Sequence, residues 1–443
     1  MNLKPFRFWK GEILSLSLVL SLSLIGASPL WAQTAGFAYV TNASDSTIWA
    51  YTINATTGAL TPLAGSPLAG DCCVPVSLAL TPNGKFAYVA VEDSNIVSVY
   101  TANATTGALT PAGFAQTGSS PLSVTVHPNG QFAYVTNALD DNVSAYSINA
   151  TTGALTPLAG SPFAAGSQPQ SVAVSPNGKF AYAANESGDV SAYTINATTG
   201  ALTPVAGSPF PASGQSLSVT VHPSGQFVYV ANSLFNNVSA YTINATTGAL
   251  TPVAGSPFPA GSQRFSVTVG PMRVTVSPNG KFAYVTVNGD NFGDVSAFTI
   301  NATTGALTPI PGSPAVGSTP SSVAVSANGQ FAYVTNRGDD NVSAYTVNAT
   351  TGALTPAAGS PFATGVGPNS VTTIAPASSC KHDDEEDRHE RGDGDEQREG
   401  RGRDDHEHQD RRFDKKHGCH HSGGKDFREQ DNGDAQERAR DHF

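Results

Sequence analysis

The segment NATTGALTP begins at Asn54 and then returns six more times. Its glycines are Gly58, Gly107, Gly153, Gly200, Gly248, Gly305 and Gly352, at intervals of 49, 46, 47, 48, 57 and 47 residues. A unit of that length buries little by itself, so its copies must pack against one another. The periodicity therefore limits the chain to an array of equal units, either closed into a ring or open as a solenoid.

One period shows what the unit is. From Ser171 to Phe210 the chain reads SVAVSPNGKFAYAANESGDVSAYTINATTGALTPVAGSPF. SVAVS alternates small and bulky residues with period two, and Asn177-Gly178 is a strong two-residue hairpin signal. FAYAAN reads as a second strand, VSAYTIN as a third, and NATTG turns the chain into a fourth, ALTPVAG. Four antiparallel strands per period, with no helical pattern, predict a propeller blade, and seven copies predict seven blades.

The two ends predict how the ring closes. The first repeat lacks an inner strand and starts almost at once with FAYVTN (37–42). The last overruns into GPNSVTTIAP (367–376), which shares the Pro-x-Ser-Val opening of SSPLSVTVHPNG (119–130). The reading is an all-β fold, a seven-bladed β-propeller of four-stranded antiparallel blades. A C-terminal strand at 370–376 completes blade one and removes the open edges a solenoid would leave. The 57-residue interval holds extra strand-like text, RFSVTVGPM (264–272), expected as a loop or a spare strand between blades five and six.

The flanks differ in kind. Lys4, Arg7 and Lys10 precede the apolar run ILSLSLVLSLSLIG (13–26), and small residues follow up to Ala32. That is the pattern of a cleaved export signal. The expected organisation is a signal peptide at 1–32, the propeller at 33–379 and a disordered, charged, His-rich tail at 380–443. The protein is expected to be periplasmic, secreted or at the cell surface, monomeric, and without a membrane span once the signal is cleaved. The tail holds 35 of the 57 charged residues, and no basic stripe marks the repeats, which argues against nucleic acid as a partner. Cys72, Cys73, Cys380 and Cys419 are too few for a disulfide scaffold, and their pairing stays open. In the tail, His417, Cys419, His420 and His421 offer nitrogen and sulfur ligands suited to zinc, copper or nickel. A solvated low-complexity tail accounts for the same residues.

Strand order places the second-to-third loops and the connections between blades on one face. The acids of the repeats gather there: Asp45, Asp93, Asp140, Asp141, Asp189, Asp290, Asp294, Asp339 and Asp340, with Glu92 and Glu186. Lys85, Lys179 and Lys281 follow the Asn-Gly hairpins on the opposite face. Asp is a good turn residue that keeps a face wet. The same loops could serve a cation such as calcium, or a cationic partner, although no cofactor is required. Arg337 and Arg264 are the only cationic side chains placed in loops of that face. His127 and His222 end SVTVHP strands in blades three and five, where other blades carry Ser or Thr, and are expected to be structural.

FAYVTN and its variants start at 37, 86, 132, 180, 227, 282 and 331. With SPNGK before them and VSAYTINATTG after, they resemble the YVTN-repeat propellers and the wider lactonase-like seven-bladed family, whose namesake hydrolyses 6-phosphogluconolactone. The resemblance covers about residues 37–376 and implies the fold and lactone hydrolysis. The matching motifs build blades, so no catalytic residue carries over. Two functions follow. One is an exported binding or surface-interaction module that meets a protein, glycan or small molecule through the acidic face. The other is a lactone hydrolase. Near-identical blades and the missing catalytic set favour the first; an asymmetric cluster of His, Arg and Glu at one channel mouth would favour the second. An acidic mouth would repel a phosphorylated lactone more than a neutral one.

Overall fold

The computed structural model describes residues 34–69, 73–261, 271–288, 293–312, 314 and 316–376. The segments expected as signal peptide and tail lie outside these residues, with the tail ligands His417, Cys419, His420 and His421. Asp290, Arg264, Cys72, Cys380 and Cys419 also lie outside them. The described residues form seven antiparallel sheets and no α-helix. No helix among them is long and apolar enough to cross a membrane.

Each sheet runs inner, second, third, outer strand in order. In blade four these are Pro169–Val174, Phe180–Asn185, Asp189–Ile195 and Leu202–Pro204. Blade one takes its inner strand from the far end of the chain. Pro368–Ile374 pairs antiparallel with Thr34–Asn42, with Phe37 opposite Ile374 and Val40 opposite Val371. The expected closure is therefore present. In blade six the inner strand is Pro271–Val276, so PMRVTV, the second of the two strand-like texts, occupies the slot. Residues 262–270 lie outside the described residues.

The NATTG turn shows why its text is fixed. The Asn54 side-chain oxygen accepts the N–H groups of Thr56 and Thr57, both at 2.9 Å, which closes the turn locally. Gly58 has φ +71°, a conformation that costs an L-residue energy, and a Cβ there would strike the Phe331 ring of the preceding blade. Its carbonyl accepts the Tyr333 hydroxyl at 2.9 Å. The same pairing runs round the ring, from Tyr39 to Gly107 at 2.8 Å through to Tyr284 to Gly352 at 2.8 Å. Each turn thus latches one blade to the Phe and Tyr of its neighbour. Burial pushes these tyrosine pKa values well above the usual 10.0.

The strand text FAYV explains the packing between blades. Its side chains alternate, so Phe37 and Tyr39 meet Leu78, Ala87 and Val89 of blade two, while Ala38 and Val40 meet Phe331 and Tyr333 of blade seven. Bulky residues on one sheet face small ones on the next, and seven such clusters hold the ring.

Candidate functional site

The second strand of each blade ends at the face that carries the blade-to-blade connections. The residue that follows it is Ala43, Glu92, Ala138, Glu186, Ser233, Asn288 and Arg337 in blades one to seven. The strand text before it barely changes, yet this position differs almost every time. The second residue of the inner strand behaves likewise: Val76, Gln170, Met272 and Asn369 stand at equivalent places. Five residues of the first set and the second residue of every inner strand line one cavity of about 460 Å³ at the channel mouth. A pocket of this size can hold a small ligand.

Four charged side chains line that cavity: Glu92, Glu186, Arg273 and Arg337. Glu92 is half-buried, and its Oε1 accepts the Ser120 hydroxyl at 3.2 Å. Its second oxygen has no protein donor among the described residues. Glu186 is held on both sides. Its Oε2 accepts Gln170 Nε2 and its Oε1 accepts Gln215 Nε2, each at 3.1 Å. Gln215 Oε1 in turn accepts the Ser233 hydroxyl at 3.2 Å. Glu186 is therefore fixed by a chain of donors from two blades. Arg337 is exposed at the rim, whereas Arg273 sits partly exposed on the inner strand of blade six. The Arg273 side chain makes no hydrogen bond or ion pair with the described residues. Enclosure in the channel draws its guanidinium pKa down from the usual value, with desolvation as the cause. The mouth so carries two carboxylates and two guanidiniums, and it is not the uniformly acidic surface that loop composition suggests.

The described aspartates expected as a binding face lie where strand order places them, but most of them hold loops together through a carboxylate oxygen. Asp140 accepts the Ser119 N–H at 2.7 Å, and Asp339 accepts Ser318 N–H at 2.8 Å. Asp141 accepts Gln168 N–H at 2.7 Å, and Asp340 accepts Gly367 N–H at 2.8 Å. In each Asp-Asp pair the first residue grips the connection entering its blade and the second grips the connection leaving it. Asp45 accepts Val366 N–H at 2.8 Å, and Asp189 accepts Asn185 Nδ2 at 2.6 Å. Asp294 starts the third strand of blade six, and Asp93 is exposed in the blade-two loop. Among the described residues, no three His, Cys, Asp or Glu side chains gather as a metal site requires.

The histidines stand away from the mouth, at the other ends of inner strands. His127 Nε2 donates to the Gly178 carbonyl at 2.9 Å, and its Nδ1 accepts the Asn129 N–H at 3.1 Å. His222 repeats this with Gly280 O at 2.8 Å and Ser224 N–H at 3.0 Å. Both are buried links to the next blade, as expected of structural residues. Cys73 forms no disulfide among the described residues. A second cavity, about 500 Å³, lies against Phe37, Ile53 and Leu63 near the blade-two NATTG turn and holds no titratable group.

Loop reading missed Arg273 because it lies within a strand. Aligning the repeats with one another would have found it. The position reads Ser77, Ser123, Ser171 and Ser218 in blades two to five, then Arg273, then Ser322 and Ser370.

No curated protein sequence matches this chain. Solved structures do. A candidate 6-phosphogluconolactonase from Bacteroides fragilis superposes with a TM-score of 0.68 at 20% identity, covering 78% of this chain and 100% of that one. A similar candidate from Bacteroides uniformis gives 0.67 at 21% identity, covering 77% and 100%. The periplasmic gluconolactonase PpgL of Pseudomonas aeruginosa gives 0.66 at 17% identity, covering 77% and 99%. Identities this low speak for the fold. The profile of the lactonase seven-bladed β-propeller family matches residues 26–126, 111–217 and 218–367. With all of the propeller but the closing strand Pro368–Ile374 inside that span, the chain belongs to the lactonase family of seven-bladed β-propellers.

Proposed function

We propose that this protein is an exported lactone hydrolase working at the channel mouth. The observation that carries the reading is the break in symmetry: the blades are near-copies, yet Glu92, Glu186, Arg273 and Arg337 enter one cavity from four different blades. Hydrolysis needs a base for water and a positive group for the carbonyl oxygen. The free oxygen of Glu92 takes a proton from water, and the hydroxide adds to the carbonyl carbon. Arg273 faces the negative charge that forms on the carbonyl oxygen. The bond between that carbon and the ring oxygen then breaks, and the ring oxygen leaves as a hydroxyl with the proton returned by Glu92. The product is a hydroxy acid. Glu186, fixed by Gln170 and Gln215, accepts hydroxyls of the substrate, and Arg337 attracts anionic substituents from the rim.

Family membership supports hydrolysis more directly than it supports a pure binding module, and so does the use of the aspartates as loop ties. The test is a pH-stat assay of the full chain against γ- and δ-lactones, both neutral and phosphorylated. Turnover that disappears in Glu92→Gln supports the reading. Tight binding of a ligand without turnover of any lactone would return the surface to the binding-module role.

A further inference from the structure

Serines clasp the inner strands to one another at five of the seven junctions round the channel. Ser77 Oγ accepts the N–H of Val124 in the next blade at 3.3 Å, Ser123 that of Val172 at 3.4 Å, and Ser171 that of Val219 at 3.4 Å. Ser218 accepts Val274 N–H at 3.3 Å, and Ser322 accepts Val371 N–H at 3.4 Å. At the junction of blades one and two, Thr372 and Asn369 bond to the Leu78 and Val76 carbonyls at 2.8 and 2.9 Å. The junction of blades six and seven differs. Arg273 stands where the serine belongs, so among the described residues the Val323 N–H has no hydroxyl to meet. Its register is the ordinary one, Val323 opposite Val334 as Val124 is opposite Val135, so this N–H points out of its own sheet toward blade six as the others do. One substitution has thus put an arginine on the channel lining and left the backbone donor of the next blade without its serine.

We propose that this gap among the serine clasps is an oxyanion site, in which the Arg273 guanidinium and the Val323 N–H together take an anionic oxygen. The idea rests on the hydrolase reading for its substrate, since the anion would be the oxygen of the tetrahedral intermediate. A product carboxylate presents the same chemistry. Both donors sit on inner strands, each paired to the second strand of its own blade, that of blade six clasped to blade five and that of blade seven to blade one. Preorganised donors of this kind stabilise developing charge without having to move. The position also gives an economy of cause. A serine at 273 would restore the clasp and remove both donors together, whereas alanine would remove only the guanidinium.

The experiment compares Arg273→Ala and Arg273→Ser in the full chain, with lactone turnover, gluconate binding by calorimetry and thermal melting as readouts. Arg273→Ala should lower kcat by about 10²–10³, the usual cost of one oxyanion donor. Arg273→Ser should lose about tenfold more, while melting at a higher temperature than Arg273→Ala because its hydroxyl takes up the Val323 N–H. Equal turnover in the two variants, or no gain in melting temperature for serine, overturns the proposal and leaves hydrolysis untouched. If no lactone is turned over by the wild type, but gluconate binds it and binds Arg273→Ser more weakly than Arg273→Ala, the site stands and the hydrolase reading falls. Gluconate binding and turnover that both ignore the two substitutions remove the site altogether.

Discussion

At the scale of single residues, the site depends on which polar atoms are already engaged. Glu186 has each oxygen tied to a glutamine amide, while Glu92, also on the cavity lining, has one oxygen tied to Ser120 and one without a donor among the described residues. That difference assigns the base. Glu92→Gln should lower kcat by about 10²–10⁴ with its melting temperature within a few degrees of wild type, because glutamine can still accept from Ser120. An unchanged kcat would shift the role to another group. Gln170→Leu and Gln215→Leu should act differently, raising KM more than they lower kcat, since they loosen a group that positions substrate. These glutamines were present in the sequence, but nothing local marked them. Gln170 and Gln215 lie in different blades, and only the ring brings both to Glu186.

At the scale of the element, two turns carry most of the architecture. The NATTG glycine is both left-handed in φ and pressed against a phenylalanine of the adjacent blade. Gly107→Ala should therefore cost about 2–4 kcal/mol in urea unfolding, combining the backbone strain with the clash against Phe37. A loss below half a kcal/mol would show that the turn can shift away from its neighbour. The acidic loops are the second case. Asp141→Ala should free the Gln168 N–H and raise hydrogen exchange in residues 165–168, while the strands of blades three and four keep their protection. The turn text was legible because Asn-Gly and Asn-Ala-Thr-Thr-Gly have local backbone requirements. The loop ties were not, because an aspartate in a turn looks the same whether its carboxylate meets water or a backbone N–H from another loop.

At the scale of the whole molecule, closure and tyrosine burial set the stability. Removing residues 368–376 takes the inner strand from blade one and exposes the edge of Thr34–Asn42. The truncated chain should lose its cooperative melt and aggregate during size-exclusion chromatography. A monomer with a wild-type melt would refute closure by the C-terminal strand. Alkaline pH offers a second test. Seven tyrosine hydroxyls latch blade to blade at the NATTG glycines, and burial raises their pKa values; Tyr193 of a further set, which bonds to Ala164 of the preceding blade, is pushed up to about 12. A raised folded-state pKa means that the native state holds these protons more tightly than the unfolded chain does. Their stabilising contribution is complete below the ordinary pKa of 10.0 and is lost as pH rises beyond it. Urea midpoints should stay level up to about pH 9.5 and then fall steeply through pH 12. A flat midpoint across that range would contradict the buried latches.

The sequence by itself determined the number of blades, the strand order and the closure, because each rests on period-two alternation and on turns that are specified within a few residues. It also determined that acids would collect on one face, since strand order alone decides the side on which a loop emerges. Only the tertiary structure decided which of those acids are spent on holding loops and which are open to a substrate. It alone placed Arg273 in the channel, where a strand position that elsewhere carries a clasping serine lines the cavity instead. The physical reason is that a repeat writes the same local rules into every blade, whereas a site at the axis is made from the few positions where the blades differ, and those meet only once the ring is closed.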